Sequence, residues 1–129
     1  MIVIGIGSNS RATPDDIAAA VRALEALLRR TCAAVATLDR PDQLSAIRTA
    51  CKMRALPLHA LPGEALLARS VDCATQSAAS LAAHGIPSVA EAAALAAAGP
   101  GSRLLIARQT YPNVTAAASV SAPPHENHP

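Results

Sequence analysis

The segment Gly85–Ser119, with the sequence GIPSVAEAAALAAAGPGSRLLIARQTYPNVTAAAS, decides the fold of this chain. Its first part predicts a helix, because Ser88 followed three residues later by Glu91 has the spacing of an N-terminal capping box. The alanine-rich run continues to about Ala98, and Gly99 is the residue type that most often ends a helix. A capped helix with a definite end is therefore predicted here.

The second part of the same segment predicts two strands joined by a polar loop. Leu104–Ile106 and Val114–Val120 are mainly aliphatic, and too few residues separate them for a crossover helix, so an antiparallel pair is expected. The loop between them, Arg108–Asn113, combines a cation, two amides, a hydroxyl and the only aromatic residue of the chain. Loops carried by rigid strands are where binding groups concentrate, so this loop is a candidate binding element.

The first half of the chain predicts strands that alternate with helices. Ile2–Ile4 is a short β-branched strand, and Gly5–Thr13 is a loop that ends at Thr13, a good helix N-cap followed by Pro14. Further predictions are a strand at 33–38, a turn at 39–42, a helix at 43–55, a weak strand at 56–60, a short helix at 62–68 and a helix in the later half of 70–83. This alternation indicates an α/β fold, a single three-layer α/β/α domain with a mixed, mostly parallel sheet.

Length and composition indicate one domain followed by a tail. The 129 residues suffice for a single core, which we assign to residues 1–120. Residues 121–129 contain three prolines and two histidines and are predicted to be a disordered tail. With no Trp and no Phe, the core has to be built from Ala, Leu, Val and Ile, which disfavours a large aromatic stacking pocket.

Charge and cysteine content limit the classes of partner and the compartment. A net charge of +2, with cations spread along the chain, lacks the basic stripe and the aromatics of a nucleic-acid-binding protein. No segment offers about 18 continuous apolar residues for a membrane span, and the N-terminal run lacks the basic start of a signal peptide, so a cytoplasmic protein is expected. Cys32, Cys51 and Cys73 show no metal-binding spacing and are expected to be buried and reduced.

The glycines Gly5 and Gly7 follow a predicted strand and precede a predicted helix, as phosphate-binding loops do. A dinucleotide fingerprint would need a third glycine where Ser10 stands, and no P-loop lysine follows. Asp39 is close enough to the end of the second strand to be considered for a ribose. Three interpretations stay open: a nucleotide site, an anion-contacting loop for another carboxylated or phosphorylated ligand, and a structural turn.

No catalytic pair or metal site can be assembled from the sequence. Ser8, Ser10 and Thr110 are hydroxyls on predicted loops, but no local motif ties a histidine or a carboxylate to them. The stretch His125–His128 contains metal-ligating side chains, but its proline-rich setting favours a flexible tail. We therefore predict no metal and no cofactor, and the catalytic residues of any enzyme activity stay unassigned.

Several blocks of the chain resemble one known family. They are Gly5-Ile6-Gly7 with Arg11 and the Thr-Pro-Asp-Asp helix start, Ala36–Asp39, Leu56–Leu58, the run GIPSVAEAAAL at 85–95, and Arg108 with Asn113-Val114-Thr115. Together they extend over about residues 2–119 and resemble the family formed by CobE and the C-terminal domain of CbiG.

This resemblance implies a role in cobalamin (vitamin B12) biosynthesis and the same three-layer α/β fold. CbiG proteins open the δ-lactone of a cobalt-precorrin and release a two-carbon aldehyde, whereas CobE is the free-standing relative in the oxygen-dependent route. The chain departs from the family pattern at Ser8, where the family often has Cys. It also departs at Arg40, where the family usually has a Lys near the Asp, and in the basic loop, which is commonly richer in Lys.

The resemblance and the polarity of the loops together predict a binding site for a precorrin, a tetrapyrrole that carries many carboxylates. Arginine forks bind carboxylates bidentately, which suits Arg11 and Arg108 to this ligand. One lip of the site is assigned to Gly5, Gly7, Ser8 and Arg11, the other to Arg108, Thr110, Tyr111 and Asn113, with Asp39 and Arg40 between them.

Three functions stay open at this point. A precorrin-binding carrier or accessory factor is favoured, because no nucleophile–base pair is evident. A hydrolase that opens a precorrin lactone is the second, and a nucleotide- or sugar-phosphate-binding α/β module is the third. Other enzymes of the cobalamin pathway are candidate partners, whereas nucleic acid and membranes are not expected.

Overall fold

The computed structural model describes residues 1–123, and its centre is a five-stranded sheet in the order β3-β2-β1-β5-β4. The strands are β1 (Ile2–Ser8), β2 (Ala34–Leu38), β3 (Leu58–Leu61), β4 (Arg103–Tyr111) and β5 (Val114–Val120). The helices are α1 (Pro14–Leu28), α2 (Leu44–Met53), α3 (Gly63–Leu67), α4 (Ala78–His84) and α5 (Val89–Ala98), with short 3₁₀ turns at Pro41–Gln43 and Ser70–Asp72.

The sheet is mixed, which confirms the predicted fold class. β1, β2 and β3 are parallel neighbours, whereas β5 is antiparallel to both β1 and β4. Four strands therefore point the same way and only β5 runs against them. As a result, the carboxyl ends of β1, β2, β3 and β4 meet at one edge of the sheet, together with the start of β5.

Helices cover both faces of the sheet, so the domain has three layers. Alternate residues of β1 point to opposite faces. Ile2, Ile4 and Ile6 pack with α1 and α2, while Val3 packs with α5 and α3 on the other face. Helix α5 crosses directly over β1, where Gly5 lies beneath the backbone of Ala90.

Two predicted loops are partly wrong, because the first four residues of each belong to a strand. β1 continues through Gly5 and Gly7 to Ser8, since these residues pair along their whole length with β5. β4 likewise continues to Tyr111, which leaves only Pro112 and Asn113 as the hairpin turn. Backbone pairing with β5 thus extends both strands through residues whose side chains are typical of loops.

The helix signals read from the sequence are largely confirmed. Thr13 caps α1 and forms a full capping box with Asp16. Ser88 caps α5 by accepting a hydrogen bond from the Glu91 N–H, and Gly99 ends that helix. The Glu91 side chain does not return to the Ser88 N–H, so the second half of that predicted box is wrong.

The three cysteines are free thiols. Cys32 and Cys51 are buried and Cys73 is half-buried. Burial raises the pKa of the Cys32 and Cys73 thiols to about 11, so both stay protonated at neutral pH. The predicted burial is confirmed for Cys32 and Cys51 but not for Cys73, and the raised pKa values make Cys32 and Cys73 poor nucleophiles.

The chain beyond β5 is described only in part. The Ser121 N–H donates to the Met1 carbonyl, and residues 124–129 lie outside the described residues. The predicted tail at 121–129, including the His125–His128 stretch, and the division after residue 120 therefore stay predictions. Within residues 1–123 no single helix has the length and apolarity to cross a membrane, and α4 and α5 meet that test only as a pair bent by 68°.

Candidate functional site

A cleft of about 240 Å³ opens at the sheet edge where the carboxyl ends of β1 and β2 lie. Helix α2 forms one wall, and α4 with the first residue of α5 forms the other. The crevice beyond the carboxyl ends of parallel strands is where α/β proteins commonly bind ligands. The cleft is therefore the candidate functional site.

Five of the residues predicted from the sequence line this cleft. Gly7 and Ser8 end β1, Arg40 follows β2, Arg108 comes from β4, and Asn113 is in the hairpin turn. The other lining residues are Thr37, Leu38, Gln43, Leu44, Ile47, Ala79, Ser80, Ala83, His84, Val89 and Thr115.

The other five predicted residues lie outside the cleft wall. Gly5 is buried beneath α5, and Arg11 and Asp39 are exposed in the turns after β1 and β2. Thr110 pairs with Thr115, so its side chain lies on the same face of the sheet as that lining residue, but one strand further out. Tyr111 packs on the opposite face, against the α1 and α2 core.

Two arginines supply the positive charge of the cleft. Arg40 and Arg108 are both half-buried, and none of the described residues lining the cleft is acidic. The ion pairs found within residues 1–123 are Arg54 with Glu25 and Arg69 with Asp72, neither of which involves these two guanidinium groups. Both cations are thus available for an anionic ligand.

His84, at the end of α4, adds a neutral polar group beside Arg40. Its Nε2 lies 3.5 Å from Nη1 of Arg40. Burial lowers the pKa of His84, and the nearby charge of Arg40 lowers it further, so the imidazole is uncharged at neutral pH. The positive charge of the cleft therefore comes from arginine.

Asn9 ties together the two turns at the mouth of the cleft. Its Nδ2 donates to Oδ1 of Asn113 at 3.1 Å, and its backbone N–H donates to the Asn113 carbonyl at 3.2 Å. Asn113 in turn donates to Asp16 at 3.3 Å. Hydrogen bonds from the Thr13 backbone and from Asn113 lower the pKa of Asp16, which keeps this carboxylate charged.

The hypothesis of a phosphate loop at Gly5 and Gly7 is wrong, because both glycines belong to a strand. Both lack a side chain for reasons of packing: a Cβ on Gly5 would lie 1.9 Å from the Ala90 carbonyl oxygen, and one on Gly7 would lie 2.7 Å from Oγ1 of Thr115. The start of α1 is also occupied by its own capping residues, Thr13 and Asp16. Its acidic first turn is unsuited to a phosphate.

The hydroxyl groups of the cleft do not form a nucleophile–base pair with His84. Thr37 donates to the Ile6 carbonyl at 2.7 Å, Ser80 donates to the Ile86 carbonyl, and Thr115 donates to the Gly7 carbonyl at 3.4 Å. Among residues 1–123, Arg40 is the one side chain found within hydrogen-bonding distance of the His84 ring. None of these three hydroxyls is therefore hydrogen-bonded to a base in the described part of the chain.

Three elements of the site were missed from the sequence. The α4 wall with His84 comes from a segment whose alanine and serine bias gave no functional signal. Asn9 had a usable signal, since it directly follows the first strand. Glu91 was interpreted only as a capping residue, although its side chain reaches Thr75 and Arg108. Within residues 1–123, no group of three or more metal-ligating side chains could hold a metal ion.

Comparison with known proteins identifies the family. The family model described as "Cobalamin synthesis G C-terminus" matches residues 2–119. The chain belongs to this family. It is a protein of the cobalamin biosynthesis pathway, as the sequence blocks predicted.

Two solved structures of the cobalamin pathway share this fold. CobE, described as a protein from the cobalamin (vitamin B12) biosynthetic pathway, superposes with a TM-score of 0.87 at 26% identity, and 92% of each chain is covered. The cobalamin biosynthesis protein chiG from Agrobacterium tumefaciens gives a TM-score of 0.79 at 36% identity, with 95% of this chain and 100% of that chain covered. No curated protein matches the chain.

Proposed function

We propose that the chain binds a precorrin intermediate of cobalamin biosynthesis through the carboxylates of that intermediate, and acts as a carrier or accessory factor. The observation that carries this proposal is the cleft itself, in which Arg40 and Arg108 face a lining without acidic residues among the described part of the chain. Guanidinium groups form strong paired hydrogen bonds with carboxylates. Ser8 and Asn113 provide further polar groups beside them.

The size of the cleft limits how much of a tetrapyrrole it holds. Its volume of about 240 Å³ is below the roughly 300–1,000 Å³ of pockets that enclose a drug-sized ligand. Its lining contains no Phe, Trp or Tyr that could stack on a macrocycle. The cleft therefore takes the carboxylate-bearing edge of the ring and leaves the ring faces outside. A second protein of the pathway, in the cytoplasm, can then reach the ring.

A carrier is favoured over a hydrolase because no lining hydroxyl of the described residues, Ser8 included, is found within hydrogen-bonding distance of the His84 ring. The hydroxyls of Thr37, Ser80 and Thr115 are hydrogen-bonded to backbone carbonyls, and the His84 ring faces Arg40. Hydrolysis through a serine nucleophile needs a hydroxyl hydrogen-bonded to a base. A lactone hydrolase is the alternative that product analysis distinguishes.

The test is a visible-absorption titration with uroporphyrin, a porphyrin that carries acetate and propionate groups like those of precorrins. We expect a saturable spectral shift with the wild-type chain. R108A and R40A should each weaken binding by at least about tenfold, because each removes a charge-assisted hydrogen-bonding group. Arg103 is the matched control: it lies exposed at the other end of β4, and R103A should bind like wild type.

Three further mixtures separate the alternatives. A porphyrin with quaternary ammonium groups in place of carboxylates should not bind, because the cleft recognises anionic substituents. Incubation with the natural intermediates, followed by product analysis, identifies a hydrolase if the ligand is altered. Saturable binding of a nucleotide without any porphyrin response would contradict the proposal and favour the third function.

A further inference from the structure

Glu91 is a fully buried carboxylic acid on the first turn of α5, with 0% of its surface exposed. A buried carboxylate is costly unless hydrogen-bond donors replace the lost water. Here three donors converge on it. The Thr75 N–H donates to Oε1 at 2.9 Å, and Oε2 accepts from the Thr75 hydroxyl at 2.8 Å and from the Arg108 N–H at 2.8 Å.

The contact with Arg108 lies at a break in the sheet. Between Ile106 and Gln109 the pairing of β4 with β5 shifts register. The backbone N–H of Arg108 falls within this break and donates to Glu91. A bulge of this kind redirects a side chain, here towards the cleft that Arg108 lines.

The contact with Thr75 holds the other wall of the cleft. Thr75 lies in the segment that leads to Ser77, the N-cap of α4. Helix α4 contributes Ser80 and His84 to the cleft. The Glu91 carboxylate on α5 is therefore hydrogen-bonded both to β4, at Arg108, and to the segment that precedes α4, at Thr75.

We propose that Glu91 is a positioning residue for the ligand site: it holds the Arg108 main chain in its irregular conformation and fixes the distance between Arg108 and the α4 wall. This inference rests on the proposed function, because its consequence is measured as ligand affinity. Glu91 is covered by protein and does not line the cleft, so it acts through Arg108 and Thr75 rather than on the ligand itself.

The experiment is a double-mutant cycle with uroporphyrin as the probe. E91Q keeps the shape of the side chain but places an NH₂ group opposite a donor, so at least one of the three hydrogen bonds is lost. We expect E91Q to weaken binding about five- to tenfold in the wild-type background. In the R108A background the same substitution should lower the affinity by less than about twofold, since the effects of substitutions in residues that act together are not additive.

A matched control separates positioning from general stability. Ser119 is also fully buried and also bonds α5, donating to the Ala94 carbonyl at 2.7 Å, but it lies at the opposite end of β5. S119A should lower the midpoint of chemical denaturation without changing affinity. Hydrogen exchange of the Arg108 amide gives a readout that needs no ligand: this amide should be protected in wild type and S119A and should exchange faster in E91A, which removes its acceptor.

The outcomes distinguish this inference from the proposed function. Normal affinity of folded E91Q, with R108A still weakened, overturns the positioning role alone, as does an E91Q effect that persists undiminished in R108A. Normal affinity of R108A contradicts the proposed function, and the positioning role fails with it. If E91Q does not fold, T75V carries the test: it removes one donor, and we expect about a two- to threefold loss of affinity.

Discussion

The two faces of the sheet are filled in different ways. On the α1 and α2 face the core consists of long aliphatic side chains, among them Ile4, Ile17 and Leu24. On the α5 face the buried residues of the helix are mostly alanines, and the α5 backbone lies almost on Gly5 of β1. The α1 and α2 face is thus packed through long side chains, whereas on the other face the backbone of α5 packs directly on the backbone of β1.

This difference bears on the candidate site, because the cleft borders both faces. A core of long side chains adjusts to small changes by moving rotamers, whereas a helix in backbone contact with a strand has no such freedom. Helix α5 therefore offers a rigid support, and the residue it directs towards the cleft region, Glu91, occupies a defined position. We therefore expect the α5 face to be sensitive to added side-chain volume and the α1 and α2 face to be sensitive to its removal.

The largest expected effect is that of a single methyl group on the α5 face. In G5A the new Cβ would lie 1.9 Å from the Ala90 carbonyl oxygen and 2.7 Å from the Ala94 N, so the helix has to move. We expect a loss of more than about 3 kcal/mol of unfolding free energy, at the upper end for overpacking. G63A is the matched control, because its Cβ would meet only Leu38, at 3.9 Å. Chemical denaturation of both variants tests this, and a stable G5A would contradict the close contact.

The second effect removes volume from the other face. Leu24 is fully buried in the α1 and α2 core, so L24A should lower the unfolding free energy by about 2–5 kcal/mol through lost burial and the cavity left behind. Leu27 lies on the same helix but is 62% exposed, and L27A should change stability by less than about 0.5 kcal/mol. If denaturant titrations gave L24A and L27A equal unfolding free energies, packing of long side chains would not be what stabilises this face.

The third effect concerns the ion pair that joins α1 to the end of α2. Glu25 accepts from Nη2 of Arg54 at 3.0 Å and from the Cys32 N–H at 2.8 Å. Burial alone would raise the pKa of Glu25, but these hydrogen bonds and the charge of Arg54 outweigh it, so the pKa is lowered. Because the folded pKa is depressed, the stabilisation is present above the unfolded value of about 4.3 and is lost as the pH falls through the folded value.

We expect E25Q to lower the unfolding free energy by about 1–2 kcal/mol at pH 7, and the difference from wild type to shrink below about pH 4. Glu64 is exposed and outside the ion pairs of the described residues, so E64Q serves as the control without effect. Unfolding curves at pH 7 and pH 3 provide the measurement. A difference that does not depend on pH would contradict the role of the charge.

The sequence predicted the elements well where the signal is local. Capping at Thr13 and Ser88, the glycine stop at Gly99 and the apolar stripe of α1 depend on neighbours within one or two helical turns. The ends of β1 and β4 were predicted too short because their last residues are polar or glycine. Their strand conformation comes from pairing with β5, which is distant from β1 in the sequence.

Half of the ten residues predicted for the site line the cleft. Gly7, Ser8, Arg40, Arg108 and Asn113 line the cleft, because strand ends and turns are recognisable in a sequence. Tyr111 packs against the α1 and α2 core instead of lining the cleft, and Arg11 lies in a turn outside the cleft wall. The α4 wall and its His84 could not be found, since nothing local to that helix indicates which strands it faces.

By itself, the sequence determined the fold class, the family blocks, the helix caps and the positive charge available near the strand ends, all of which depend on residue type and short spacing. Only the tertiary structure decided that Arg40 and Arg108 share one cleft and that Gly5 is a packing residue. The sequence predicted Glu91 only as a capping residue, whereas in the tertiary structure its buried side chain accepts hydrogen bonds from Thr75 and Arg108. The physical reason is that strand pairing and helix packing join residues far apart in the chain, and no local pattern encodes which of them will meet.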